Sequence, residues 1–183
     1  MGNIVVAVVG MPGSGKTEAT AIFLKNKFIN VYFGEVTFDE MKKRGMEQTQ
    51  ANERIVRNEF RAGGDMAIYA KLSMPKIEEA YKNGNVLLES LYTWGEYKLI
   101  RERFGDRFFV VAVVCNKAIR RDRLLTRPHR PLTAEEFQTR NYSQIEELQQ
   151  GGPIAIADYN ILNNGSMKEL QQQAQKIIDT LTK

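Results

Sequence analysis

The stretch Asn3–Thr17 reads NIVVAVVGMPGSGKT, and its reading decides the fold. Its first half, Asn3–Val9, is a β-branched apolar run without alternation, as expected of a strand covered on both faces. Its second half, Gly10–Thr17, fits G-x-x-x-x-G-K-S/T at every fixed position, between a predicted strand and a predicted helix. Each part has a chemical reason. Gly10, Gly13 and Gly15, with Ser14 among them, let the backbone turn so that consecutive N–H groups face inward at a helix N-terminus, a cradle for phosphate oxygens. Lys16 reaches the outer phosphates and the Thr17 hydroxyl ligates Mg²⁺. A glycine-rich turn that merely joins strand to helix is the plainer alternative, but the lysine and the hydroxyl have no purpose in it.

Outward from this stretch, strands and helices alternate. Helical spacing is predicted over Thr17–Lys27, Thr37–Gly45, Ala51–Arg61, Asp65–Lys82, Gly95–Phe104 and residues 117–127. Thr133-Ala-Glu-Glu136 starts a helix to about Gln150, which Gly151-Gly152-Pro153 ends, and Ser166 caps a last helix to Leu181. Further strands are predicted at Ile29–Phe33, Val86–Leu88, Phe108–Cys115 and Tyr159–Leu162. Such alternation predicts a three-layer α/β/α domain on a five-stranded parallel sheet, with ligands at the carboxyl ends of the strands.

Composition bounds the function. The chain has 183 residues, 43% of them hydrophobic and 26% charged, within the range of one soluble domain. Its longest apolar runs, Ile4–Val9 and Phe108–Cys115, fall far short of the ~20 residues that span a bilayer, and Val6 breaks the pattern that Gly2 would need for myristoylation. A cytoplasmic protein without membrane partners is expected. The single cysteine, Cys115, reads as a buried small hydrophobe, and a lone His129 excludes a multi-histidine metal site. A net charge of +4 suggests an anionic partner. The charge is concentrated in Lys117, Arg120, Arg121, Arg123, Arg127 and Arg130, and again in Arg54, Arg57 and Arg61, which share one helix face. Either set could be a solvated face. Cys115-Asn-Lys-Ala-Ile119 offers half of a guanine-reading N-K-x-D, but Ile119 cannot accept the base's N–H donors.

Arg123-Leu-Leu-Thr-Arg127, Arg140-Asn-Tyr-Ser-Gln144 and Ala157-Asp-Tyr-Asn-Ile-Leu-Asn-Asn-Gly-Ser166, with Gly10–Thr17, resemble the P-loop nucleoside monophosphate kinase superfamily. Within it, dephospho-coenzyme A kinases and related archaeal-type P-loop kinases are the most similar. The resemblance covers about half the chain and implies a P-loop kinase fold. By it, the core is residues 1–35, 84–127 and 154–183, the acceptor-binding helices are 36–83, and a mobile lid covers 128–153. Arg123 would stack on adenine, Arg127 would grip phosphates and Arg140 would reach the transferring phosphoryl group. Asn163–Ser166, with Asn164 and Gly165 at its centre, would wrap the adenine edge. Glu35 and Glu89, after the second and third strands, would hold the acceptor or a metal-bound water. They stand where dephospho-coenzyme A kinases have aspartates. Arg54, Arg57 and Arg61 could clamp an acceptor phosphate, and Tyr92 and Trp94 could stack a base, although Trp94 reads better as a core aromatic.

The implied activity is ATP- and Mg²⁺-dependent transfer of a phosphoryl group to a small nucleotide-like acceptor, by a monomer or homodimer. Two other readings use the same residues. One is a nucleotide-binding regulator or slow ATPase without kinase chemistry. In the other, the Arg120–Arg130 cluster binds nucleic acid, but the lid resemblance already accounts for that cluster.

Overall fold

The computed structural model describes residues 2–183; Met1, within the expected core segment 1–35, lies outside them. In chain order the elements are β1 (Val5–Val9), α1 (Lys16–Lys25), β2 (Ile29–Tyr32), α2 (Glu35–Lys43), α3 (Gln50–Arg61), α4 (Ile68–Asn83) and β3 (Val86–Glu89). There follow α5 (Trp94–Phe104), β4 (Phe108–Val114), α6 (Lys117–Thr126), α7 (Ala134–Glu146), α8 (Gly151–Ala155), β5 (Tyr159–Leu162) and α9 (Met167–Leu181).

The sheet order is β2-β3-β1-β4-β5 and every pairing is parallel. β1 is central, with Ala7 beside Leu88 of β3 and Val9 beside Ala112 of β4. Its side chains alternate between two cores, which explains the unbroken apolar run. Val5, Ala7 and Val9 pack with Tyr69 and Ile77 of α4 and Ile100 of α5. Ile4, Val6 and Val8 pack with Ala19 and Phe23 of α1 and Leu170 and Ala174 of α9. The expected three-layer architecture is what forms. Cys115 is buried and free, as read from its apolar run.

The structure corrects the sequence reading between residues 146 and 155. Helix α7 ends at Glu146, and Gly151-Gly152-Pro153 does not end a helix but opens α8. Proline is accepted there because the first turn of a helix has no partner for its N–H. Gly152 lies against Trp94, where a Cβ would come within 2.8 Å of the ring carbon Cε3. Pro153 is buried and Ile154 packs on the core of α4 and α5. Residues 151–153, expected at the end of the lid, are therefore tied to the core. Trp94 itself stacks on Tyr97 with ring centroids 4.9 Å apart, on the core side of α5.

Candidate active site

The loop between β1 and α1 lies at the carboxyl edge of the sheet. Gly15 has φ +98° and sits against Asn163, whose Nδ2 a Cβ at position 15 would strike. Lys16 Nζ folds back on its own loop, donating to the carbonyls of Gly10 at 2.6 Å and Met11 at 3.3 Å. Burial, aided by the nearby Arg120 charge, lowers its pKa from 10.5 to about 8. Ser14 Oγ is buried and has no hydrogen-bond partner among the described residues. A buried cation and an unpartnered hydroxyl in a turn at a helix N-terminus are chemistry suited to phosphate oxygens. A cavity of about 430 Å³ opens beside them, lined by Gly13, Gly15, Lys16, Thr17, Arg123, Arg127, Asn163 and Gly165 among others.

Two residues that the sequence reading assigned elsewhere, Asn163 to the adenine edge and Arg120 to the basic cluster, hold this loop in place. Asn163 Nδ2 donates to Ser14 O at 2.7 Å, and Asn163 O accepts from Arg123 Nη2 at 3.2 Å. The loop is thereby braced by the end of β5. Arg120, on α6, is 8% exposed and donates from Nη1 to Pro12 O at 3.0 Å. Arg123 Nη1 also lies 3.5 Å from Cys115 Sγ. Asn164 contributes differently from expectation: its Oδ1 accepts from Asn116 N at 2.8 Å, fixing the corner before α6.

A second, smaller cavity of about 120 Å³ is lined by Tyr32, Phe33, Thr37, Phe38 and Tyr69, with Arg57, Arg61, Ser90, Tyr92 and Glu96. Of the expected acceptor residues, the structure thus brings Arg57, Arg61 and Tyr92 together. Arg57 is held by Glu53 at 3.3 Å, and the Arg61 guanidinium lies 5.0 Å from the Tyr69 ring centroid. Arg54 is exposed and is not among the lining residues. Glu35 falls in the first turn of α2, where Lys76 of α4 binds it at 3.2 Å, and it lines neither cavity. Glu89 ends β3, where its Oε2 accepts from Asn30 Nδ2 at 3.0 Å, and it too lines neither cavity.

Two carboxyl groups line the smaller cavity, Glu53, which pairs with Arg57, and Glu96. Glu96 Oε2 accepts from the backbone N–H groups of Tyr92 and Thr93, each at 2.8 Å, in the capping box that starts α5. The side chain is almost wholly buried, and burial outweighs those bonds and the Arg61 charge, raising its pKa from 4.5 to about 7. The capping box was the available signal: Thr93 three residues before Glu96 opens a helix.

A wider, open cleft of about 1020 Å³ lies between residues 127–143 and the start of α3, lined by Gln50, Arg127, His129, Arg130, Glu136, Arg140 and others. Arg127 borders both this cleft and the phosphate cavity, whereas Arg140 is exposed and borders the cleft alone. The oxygen donors at this edge also suit Mg²⁺. Thr17, exposed in the first turn of α1, and Glu89 offer a hydroxyl and a carboxylate. Mg²⁺ takes few protein ligands and keeps waters and substrate phosphates for the rest. Among the described residues no cluster of three or more His, Cys, Asp or Glu could hold a metal by itself.

Comparison with known proteins places this geometry. Residues 6–149 match the AAA domain family model. The UPF0200 protein TK1334 of Thermococcus kodakarensis is 32% identical over 182 residues, covering 97% of this chain and 98% of its own. The chain belongs to the UPF0200 family. The UPF0200 protein of Aeropyrum pernix is 31% identical, across 95% of this chain and 91% of its own. Among solved structures, TT1252 from Thermus thermophilus superposes with TM-score 0.68 at 18% identity, covering 98% of both chains. Dephospho-CoA kinase from Campylobacter jejuni gives 0.58 at 16% identity, covering 98% of this chain and 97% of its own. Shikimate kinase from Bacteroides thetaiotaomicron gives 0.60 at 12%, covering 98% and 99%. At these identities the likeness is one of fold. The UPF0200 chain has a P-loop kinase-like fold, as its sequence resemblance implied.

Proposed function

We propose that this chain is an ATP- and Mg²⁺-dependent phosphotransferase acting on a small nucleotide-like acceptor, either a nucleoside monophosphate or a dephospho-coenzyme A-like molecule. One observation carries the reading. The sheet edge holds two separate built cavities, one at the phosphate loop and one lined by Arg57, Arg61 and Tyr92, and a lid cleft bordered by Arg127 and Arg140 adjoins the first. A protein that only bound or hydrolysed ATP would need the first cavity alone.

Lys16 and Arg127 would bind the transferring phosphates, with Arg123 beside the nucleotide and Arg140 arriving from α7. Phosphoryl transfer depends on such positioning and positive charge. Thr17 and Glu89 would hold Mg²⁺, which supplies charge neutralisation on the phosphates. From the end of β3, Glu89 would also orient an acceptor hydroxyl. Glu35, paired with Lys76, has no part in this scheme. Arg57 and Arg61 offer bidentate donors to an acceptor phosphate.

The test is ADP formation from ATP and Mg²⁺ with each ribo- and deoxynucleoside monophosphate and dephospho-coenzyme A. Strong stimulation by one acceptor is expected, with Lys16→Met at the blank rate. Flat turnover across the panel would overturn the reading in favour of a slow ATPase or regulator. One observation lends weight to that second reading: Glu35, in the family's acceptor position, is engaged in a surface ion pair.

A further inference from the structure

The geometry points to Arg120 as a positioning residue that ties the phosphate loop to helix α7 through Asn141, and so sets where Arg140 stands. The cation is buried at the meeting point of three elements. Nη1 donates both to Pro12 O of the loop at 3.0 Å and to Asn141 Oδ1 of α7 at 2.8 Å. Nε donates to Cys115 O, after β4, at 3.3 Å, and the guanidinium carbon lies 5.6 Å from the centroid of the Phe137 ring of α7.

No partner in this set is a carboxylate. A buried cation without a counter-charge is expensive, and here carbonyl dipoles and a ring face are all that offset it. Burial lowers the Arg120 pKa, and its charge in turn disfavours protonated Lys16 in the cradle. Phosphates entering the cradle would supply the missing negative charge and favour the charged guanidinium at this buried position, between the loop and α7.

The receiving end is equally specific. Asn141 is 7% exposed, and its Nδ2 donates to Phe137 O one turn back at 2.5 Å, which leaves Oδ1 aimed at Arg120. Its neighbour Arg140 points elsewhere, because successive side chains on a helix diverge by about 100°. Accordingly Asn141 faces the buried seam while Arg140 is exposed and borders the lid cleft. Fixing α7 by Asn141 therefore aims Arg140, a role for Arg140 that rests on the phosphotransferase reading. The link from loop to lid helix rests only on ATP entering the cradle.

The experiment compares the unaltered chain with Asn141→Ala and Asn141→Asp, by ATP calorimetry and by amide exchange over 134–146 with and without ATP. In the unaltered chain ATP is expected to slow exchange across α7. Asn141→Ala should still bind ATP, within about threefold, and lose that slowing, because the two buried hydrogen bonds it removes, to Arg120 and to Phe137 O, lie outside the cradle. Asn141→Asp gives Arg120 a counter-charge, so α7 should be protected already without ATP. With an active acceptor, Asn141→Ala should lower kcat about tenfold with little change in KM, the signature of a misplaced transfer group. Adding Arg140→Ala to it should then cost little more. Retained ATP-dependent protection in both Asn141 variants would overturn the proposal, as would full additivity with Arg140→Ala. ATP binding without any response of α7 in the unaltered chain overturns the coupling alone; failure to bind ATP overturns it together with the proposed function. ATP-linked protection in a chain with no phosphotransfer would sink only the enzymatic reading.

Discussion

Lys16 and Glu96 are both held away from their ordinary ionisation by burial, with opposite consequences for pH. Glu96 titrates near 7 when folded against 4.5 as a free group. Between those values the folded chain holds the extra proton, so this residue makes stability fall as pH rises from about 4.5 to 7. Glu96→Gln keeps an acceptor for the Tyr92 and Thr93 amides and removes the slope. Its melting temperature should match the unaltered chain at pH 4.5 and exceed it by several degrees at pH 8, read by calorimetry. For Lys16 the folded pKa of about 8 lies below 10.5, so the unfolded chain holds more protons between them and stability rises over that interval. Below pH 8 the charged lysine is a standing cost, and Lys16→Met should melt higher at pH 7 while losing phosphotransfer. Phosphate anions beside the lysine restore its proton. ATP binding at pH 8.5 should therefore take up protons, visible as binding enthalpies that vary with the ionisation enthalpy of the buffer. Buffer-independent enthalpies would contradict this account of Lys16.

At the scale of elements, short-range patterns were legible and long-range ones were not. The strands could be read because β-branched runs between turn residues have few other uses, and the capping boxes at Thr133 and Ser166 marked α7 and α9. The phosphate loop was legible because its chemistry is local. Its braces were invisible: Arg120 meets Pro12 across 108 positions, and Asn163 meets Ser14 across 149. Sequence spacing carries no trace of such contacts. Glu35 and Glu89 looked alike as acids after strands, and only the immediate start of α2 after β2 sends Glu35 to Lys76. The break after α7 was misread for a similar reason, since Gly-Gly-Pro stops one helix and can start another, and Trp94 decides which. Gly152→Val should overpack against that ring and cost about 1–3 kcal/mol, measured by denaturant unfolding. Thr133→Ala removes the α7 cap, which also receives Glu136, and should cost about 1 kcal/mol. Faster amide exchange confined to 134–146 would mark that loss as local to α7.

Across the whole molecule, the parallel sheet gathers loops from every part of the chain onto one edge. If ATP binds there, stability must rise by mass action. At a concentration a hundredfold above Kd the gain is about 2.7 kcal/mol, or roughly 5–10 °C for a domain of this size. That shift should vanish in Lys16→Met. Among the described residues no helix is long and apolar enough to cross a membrane. Of the four basic residues of α6, Arg120 is spent on the loop and Arg123 on Asn163, while Lys117 and Arg121 are exposed. The brace from Asn163 to Ser14 has a consequence for how the protein is made. The loop leaves the ribosome 149 positions ahead of the residue that braces it, which directly follows β5. A nascent chain that has released the loop but not Asn163 would carry the whole nucleotide motif without this brace, so the cradle should firm up only once β5 has emerged and docked.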